Sequence, residues 1–388
     1  MKAVVCSNAE LKVVDRPEII PSQGQCVLKV SRCGICGSDL HIRDHCDHLG
    51  KLYNRLGYTG FPRAEEELVF GHEFCGEVLD YGPGSKKSIK PGTRVSVVPV
   101  IRRGAEIDGI GLSRGAPGAF AERVLVDELM MMPIPNGLPD DQAALTEPIA
   151  VAWHAVRRGE VTTRDVAVVI GCGPVGLAVI CVLKALDVQT IIASDYSAGR
   201  RELARRCGAN VIIDPAKESP YRGWKDHEFI GTIPELLDVS VGTRQKFEEL
   251  PLAWHDAWRA AEKAGLAAPK RPVIFECVGT PGVLDSILDG APFFSRVVVV
   301  GVCMQTDKIE PAMAGHKEIE LRFVFAYSPL EFRDALHMIA EGKIDCSPIV
   351  TGRVGLVGVD NAFAALRDPE KHAKILIDPS SMDTTPVS

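Results

Sequence analysis

Two stretches of this 388-residue chain carry side chains able to hold a metal ion. One is Cys33-Gly34-Ile35-Cys36-Gly37-Ser38-Asp39-Leu40-His41, and the other is Gly71-His72-Glu73. Two cysteines separated by two residues mark a zinc knuckle or a redox pair, but no second such pair is present to complete a four-cysteine site. One thiolate (Cys36), one imidazole (His72) and carboxylates from Glu73 and Glu147 would instead give three or four tetrahedral zinc ligands. Such a set leaves a position free for water or a substrate oxygen. For each acid the plainer alternative is a structural carboxylate.

The second chemical signal is Gly171-Cys172-Gly173-Pro174-Val175-Gly176, set between an apolar run, VAVVI, and a helical one, LAVICVLKAL. In that setting the first glycine permits a tight turn and the second lets the backbone approach a pyrophosphate. The third lets helix and strand pack closely, with the helix N-terminus aimed at the phosphates. Nineteen residues after Gly176 stands Asp195, at the end of the next apolar run. A carboxylate there accepts hydrogen bonds from ribose hydroxyls and repels a 2′-phosphate, which favours NAD over NADP. Arg200 and Arg201 follow and could hold a 2′-phosphate; a helix cap is the alternative role for Asp195.

The motifs CGICGSDLH, GHEFCGEV, KPGTRV, GAFAERV, LTEPIAVAWHA, VIGCGPVGLA and EGKID occur in an order that resembles the zinc-dependent medium-chain dehydrogenase/reductase superfamily, over nearly the whole chain. The resemblance implies an α/β fold, in which a mostly β GroES-like catalytic domain is joined to a Rossmann domain with a doubly wound parallel sheet. It implies an enzyme moving a hydride between an alcohol or polyol, a secondary alcohol above all, and NAD. Cys36 and His72 would be ligands of one catalytic zinc, with Glu147 at the third position and Glu73 able to join or leave. Ser38 would bind the substrate oxygen, His41 would pass its proton to solvent, and Asp39 would orient His72. Gly171, Gly173, Pro174, Val175, Gly176, Asp195 and Arg200 would hold the coenzyme. A homodimer or homotetramer is expected.

The chain departs from the superfamily in two places. After KPGTRV, where many members bind a structural zinc through four cysteines, VPVIRRGAEIDGIGLSRGAPGAFAERV has none, so no structural zinc is expected. The segment from His45-Cys46-Asp47-His48 onward is read as a substrate-facing loop, with Tyr53, Tyr58 and Phe61 giving the cleft an apolar wall. A zinc-free enzyme resembling quinone reductases would lack the Cys36 and His72 pair. A non-catalytic NAD(H)-binding protein on the same fold would have no use for Ser38 and His41.

The elements that must position these residues follow from patterning. Residues 1–150 read as short strands punctuated by Gly and Pro, and from 151 the rhythm becomes strand, glycine turn, helix, implying a parallel sheet over 151–320. The tail, 321–388, is too short to fold alone and is expected to complete the first domain. A long connection at 216–272 interrupts the second domain. Its RQKFEELPLAWHDAWRAAEKAG stretch spaces Phe247, Leu250, Trp254 and Trp258 as a helix does. A net charge of −7 without a basic run argues against nucleic acid. An N-terminus charged where a signal core would be, with no apolar stretch of about 18 residues, argues against a membrane and for the cytoplasm. There the twelve scattered cysteines would be reduced.

Overall fold

A computed structural model describes residues 1–265 and 269–387. The first sheet takes strands from both ends of the chain. In spatial order Met131–Pro133, Arg94–Val97, Glu73–Tyr81, Gln25–Gly34, Lys374–Ile377 and Val350–Val354 lie side by side, and Arg123–Asp127 also pairs with Gln25–Gly34. Their inward faces, with Leu28, Val78, Val95, Val126 and Ile375, meet Phe70, Phe74, Phe120 and Phe363 in one core. In the cysteine-free stretch after Lys90-Pro91-Gly92-Thr93-Arg94-Val95, the hairpin Val100–Arg103/Glu106–Gly109 is held by Arg103 Nε donating to Asp108 at 2.8 Å.

The second sheet is parallel throughout, in the order Val211–Ile213, Thr190–Ser194, Val166–Ile170, Val273–Glu276, Arg296–Val299, Glu320–Phe323. Val273–Glu276 and Arg296–Val299 are buried at every position, as strands covered by helices on both faces must be. The strand order reverses between Val166–Ile170 and Val273–Glu276. A crevice opens there beyond the carboxyl ends of the strands, where such sheets bind ligands.

The connection at 216–272 divides into two parts. Tyr221 and Phe229 bury against one face of the parallel sheet, and the partly buried Trp224 packs between them, tilted on Tyr221 and edge-on to Phe229. The stretch with helix-like spacing forms parts of two helices, Ile233–Glu248 and Trp254–Lys263. Pro251 removes an amide donor between them, and Phe247 packs on Trp258 across the break. Among the described residues no helix is long and apolar enough to cross a membrane.

The helix Thr146–Arg158 buries Ile149, Ala150, Ala152 and Ala155 and packs along Pro329–Ala340. Glu331 locks the pair: its buried carboxylate accepts from the Ser328 amide (2.8 Å), His154 Nδ1 (3.1 Å) and Arg157 (3.2 Å). Burial alone would raise this carboxyl, but the Ser328 amide and His154 outweigh it and hold it below the usual carboxylate range. A depressed folded value stabilises above the unfolded pKa, and that stability is lost as pH falls through the folded value. Glu331→Ala is therefore expected to cost about 1–3 kcal/mol near pH 7. In denaturant melts of the two proteins the difference shrinks once the pH drops below about 4.

Candidate active site

The strand Gln25–Gly34 passes through Ile35-Cys36 into a helix, Gly37–Arg55. Cys36 caps that helix in extended backbone, and its amide donates to Asp39 Oδ2 at 2.9 Å, closing the first turn. Glu73 opens the neighbouring strand opposite Gly34. Gly71 turns the chain into that strand at φ +102°, and a Cβ there would lie 2.8 Å from Cys33 Sγ. The close approach of the two segments therefore requires glycine.

Cys36 Sγ, a ring nitrogen of His72 and a carboxylate oxygen of Glu73 consequently lie within 4.8 Å of one another; among the described residues no other three His, Cys, Asp or Glu side chains do so. Ser38 Oγ is 3.1 Å from His72 Nε2. His72 Nδ1 lies 3.4 Å from Asp39 Oδ1, and both atoms are buried without a hydrogen bond, so the pair is close but not aligned. Burial pushes the Cys36 thiol up, with Glu73 adding to the effect. Burial alone would lower His72, but Asp39 and Cys36 outweigh it and raise the imidazole well above its ordinary value. The pocket thus favours positive charge. A thiol, an imidazole and a carboxylate around that charge, with an acid beside the far ring nitrogen, form a donor set that zinc fits.

Glu147, in the first turn of Thr146–Arg158, lines the same cavity but stands outside the 4.8 Å group. Burial pushes its carboxyl up to about 7, His72 pulls against this and Glu73 adds to it. Ser38 and His41 also line the cavity, and His41 is lowered by burial and by His45.

The cavity, about 1390 Å³, runs from this cluster to the glycine turn. Gly171 sits at φ +89°, a Cβ on Gly173 would meet nothing within 4 Å, and one on Gly176 would lie 1.9 Å from the Gly171 carbonyl. These are a turn, an open approach and a tight packing point, in that order. Gly173 caps the helix Pro174–Ala185 with Pro174 in its first turn, and Val175 also faces the cavity. Asp195 accepts from the amides of Cys172 and Ser197, each at 2.8 Å. The cap of the next helix is Ser197, whose hydroxyl accepts from the Arg200 amide at 3.1 Å. Arg201 is occupied by Asp214 and by the carbonyls of Asp195 and Tyr196. Arg200 lines the cavity, and its buried Nε has no partner.

Residues 22–136 match the alcohol dehydrogenase GroES-like domain family. Over 98% of its length the chain is 30% identical to the whole of (R,R)-butanediol dehydrogenase from Bacillus subtilis. The chain belongs to the zinc-dependent medium-chain dehydrogenase/reductase superfamily. Human sorbitol dehydrogenase, another relative, is 25% identical over 95% of this chain and 92% of its own. The crystal structure of 2R,3R-butanediol dehydrogenase from Bacillus subtilis superposes with a TM-score of 0.73 at 28% identity, covering 98% of this chain and 99% of that one.

For this medium-chain dehydrogenase the structure adds residues to the site that its motifs leave out. Lys374, fully buried, donates to Glu73 Oε1 (2.8 Å), Glu73 Oε2 (2.6 Å) and the Ile35 carbonyl (2.9 Å). Gly34 makes room for that carboxylate, since a Cβ would lie 2.2 Å from Glu73 Oε2. The Tyr327 phenol faces Glu147. One signal for Lys374 was present: it is the single charge in the otherwise apolar strand Lys374–Ile377. Its partner lies 301 residues away.

The first part of the segment expected as a substrate-facing loop, up to Arg55, is helical, within the 19-residue helix Gly37–Arg55 with non-helical backbone at His45, and the part beyond Arg55 up to residue 66 is not helical. Ile42, Leu49 and Tyr53 of that helix, with Phe61 beyond it, face the cavity.

Proposed function

We propose that this protein is a zinc-dependent, NAD-linked alcohol dehydrogenase that oxidises an alcohol or polyol to the ketone or aldehyde. One observation carries the reading: the Cys36, His72 and Glu73 cluster and the Gly173-Pro174 helix start open into one cavity. In this reading the first sheet, 1–150 with the tail 321–388, forms the catalytic part, and 151–320 the coenzyme part. The superfamily and the names of the butanediol and sorbitol dehydrogenase relatives support it. The free sheet edge at Glu320–Phe323, where Phe323 and Phe325 are exposed, supports a homodimer or homotetramer.

Cys36 and His72 would hold the zinc, with Glu147 and Glu73 as the competing third ligands. When bound, zinc supplies Lewis acidity toward the substrate oxygen and NAD supplies the hydride acceptor. Ser38, beside His72 Nε2, is placed to accept a hydrogen bond from the substrate hydroxyl and to pass its proton on. His41, three residues along the same helix and neutral near pH 7, is placed to take that proton toward solvent. Asp39, 3.4 Å from the far ring nitrogen, would orient His72 once the pair aligns around the metal. Gly173 and the Pro174–Ala185 helix start receive the pyrophosphate.

The direct test is an alcohol deuterated at its carbinol carbon. Deuterium is expected on the nicotinamide ring of the reduced coenzyme; a folded, zinc-loaded protein that transfers none to NAD or NADP from any alcohol overturns the reading. Coenzyme choice has its own test. Asp195→Asn removes the charge facing the ribose, and the kcat/KM ratio for NADP over NAD is expected to rise at least about tenfold, because like-charge contact with the 2′-phosphate is relieved. An unchanged ratio assigns selectivity elsewhere.

A further inference from the structure

At the cluster end of the cavity, the side chains able to hydrogen-bond a substrate are Ser38, His41, His72, Glu73 and Glu147. Beyond them the lining is Ile42, Leu49, Tyr53, Phe61, Leu112 and Met304. Tyr53 and Phe61 are stacked face to face, with ring centroids 4.8 Å apart and 9° between planes. Tyr58 meets Tyr53 edge-on at 6.0 Å and is anchored through its hydroxyl to Asp108 at 2.7 Å and to Ser113. Phe61, Ile42 and Leu49 are themselves buried. The wall is therefore held in place before a substrate arrives. Tyr53 Oη, which makes no hydrogen bond to another described residue, is the one polar side-chain atom on it.

A polyol carries a hydroxyl on every carbon, and each one leaving water for this wall needs a partner. After the reacting oxygen has used the groups at the cluster, the wall offers one phenol. Hydroxyls left without a partner in such a place are strongly disfavoured, whereas an apolar substituent gains from leaving water and an aryl ring gains further by stacking.

We propose that the preferred substrate is an alcohol, secondary at the carbinol carbon, bearing one aryl or alkyl substituent that packs on Tyr53 and Phe61, and not a polyol. The reaction is then alcohol plus NAD⁺ to ketone plus NADH and one proton. The carbinol C–H pair moves to the nicotinamide as hydride, and the hydroxyl proton leaves to solvent. The proposal rests on the alcohol dehydrogenase reading of this site and narrows its substrate.

The test compares kcat/KM for 1-phenylethanol, 2-propanol, 2,3-butanediol, xylitol and sorbitol with the zinc-loaded enzyme and NAD. 1-Phenylethanol is expected to exceed sorbitol and xylitol by at least about 100-fold. Tyr53→Leu is expected to lower the ratio of kcat/KM for 1-phenylethanol over 2-propanol about tenfold, and Tyr53→Phe, which keeps the ring, to retain that ratio. Sorbitol or xylitol equal to or better than 1-phenylethanol overturns the proposal and leaves the dehydrogenase reading standing. Equal losses on 1-phenylethanol and 2-propanol in Tyr53→Leu make the residue a scaffold and overturn its assigned role. No oxidation of any alcohol defeats the underlying reading and this proposal with it.

Discussion

Cys36→Ser is expected to abolish bound zinc and to lower kcat/KM for alcohol oxidation by more than about 10³-fold, with NADH affinity within about threefold of the parent. The magnitude follows from losing several kcal/mol of charge stabilisation at the substrate oxygen, with each 1.36 kcal/mol worth a factor of ten. The separation of the two effects follows from the fold. Cys36 caps the Gly37–Arg55 helix on the first sheet, whereas the coenzyme cradle at Gly171–Gly176 is built on the parallel sheet. Helix capping itself tolerates the change, because Asp39 Oδ2 takes the amide of residue 36 and not its side chain. Zinc content, NADH titration and initial rates on one preparation check all three, and zinc retained at one per chain would remove Cys36 from the ligand set.

Lys374→Met is expected to destabilise the fold by about 3–5 kcal/mol, the cost of leaving a buried charge without its partner. Both side chains of the Glu73–Lys374 pair are 1% exposed, so water cannot replace the ammonium. The pair joins the last strand of the first sheet to the strand that begins at the cluster, and Lys374 also ties down the Ile35 carbonyl, one residue before Cys36. Lys374→Arg keeps the charge and should recover most of the loss. Glu73→Leu combined with Lys374→Met, which removes both charges, should be more stable than Lys374→Met alone. Denaturant unfolding of the set decides it. Additive losses in the double variant would mean that the two residues act independently and that the ion pair does not hold this corner together.

The parts of this molecule that were legible in its sequence are those written locally. The turn Gly171 to Gly176 states its three glycine requirements within six residues, and the strand before it, Val166–Ile170, is apolar throughout because both faces are covered. The α/β class followed from that alternation. Cys36 and His72 could be paired by their chemistry, although only the antiparallel register of Gly34 on Glu73 brings them together.

Less was legible where the signal is weak or distant. The segment from His45 reads as a loop because the resemblance places the chain there along the cleft, and with two glycines and few strong helix formers Gly37–Arg55 gives little propensity signal against that reading. It is helical because Ile42 and Leu49 lie on one buried face. The break before Trp254 was hidden because the apolar spacing continues through Pro251. Lys374 could not be matched to Glu73 from spacing at all, since sheet closure alone makes that contact.

The most direct test of the whole account is zinc content per chain measured beside NAD-linked alcohol oxidation, before and after a chelator and again after zinc is returned. One catalytic zinc per chain, loss of turnover on its removal and recovery on its return are the expected results. Undiminished NAD-linked oxidation by metal-free protein would contradict the assignment of Cys36, His72 and their neighbouring acids as the centre of the chemistry.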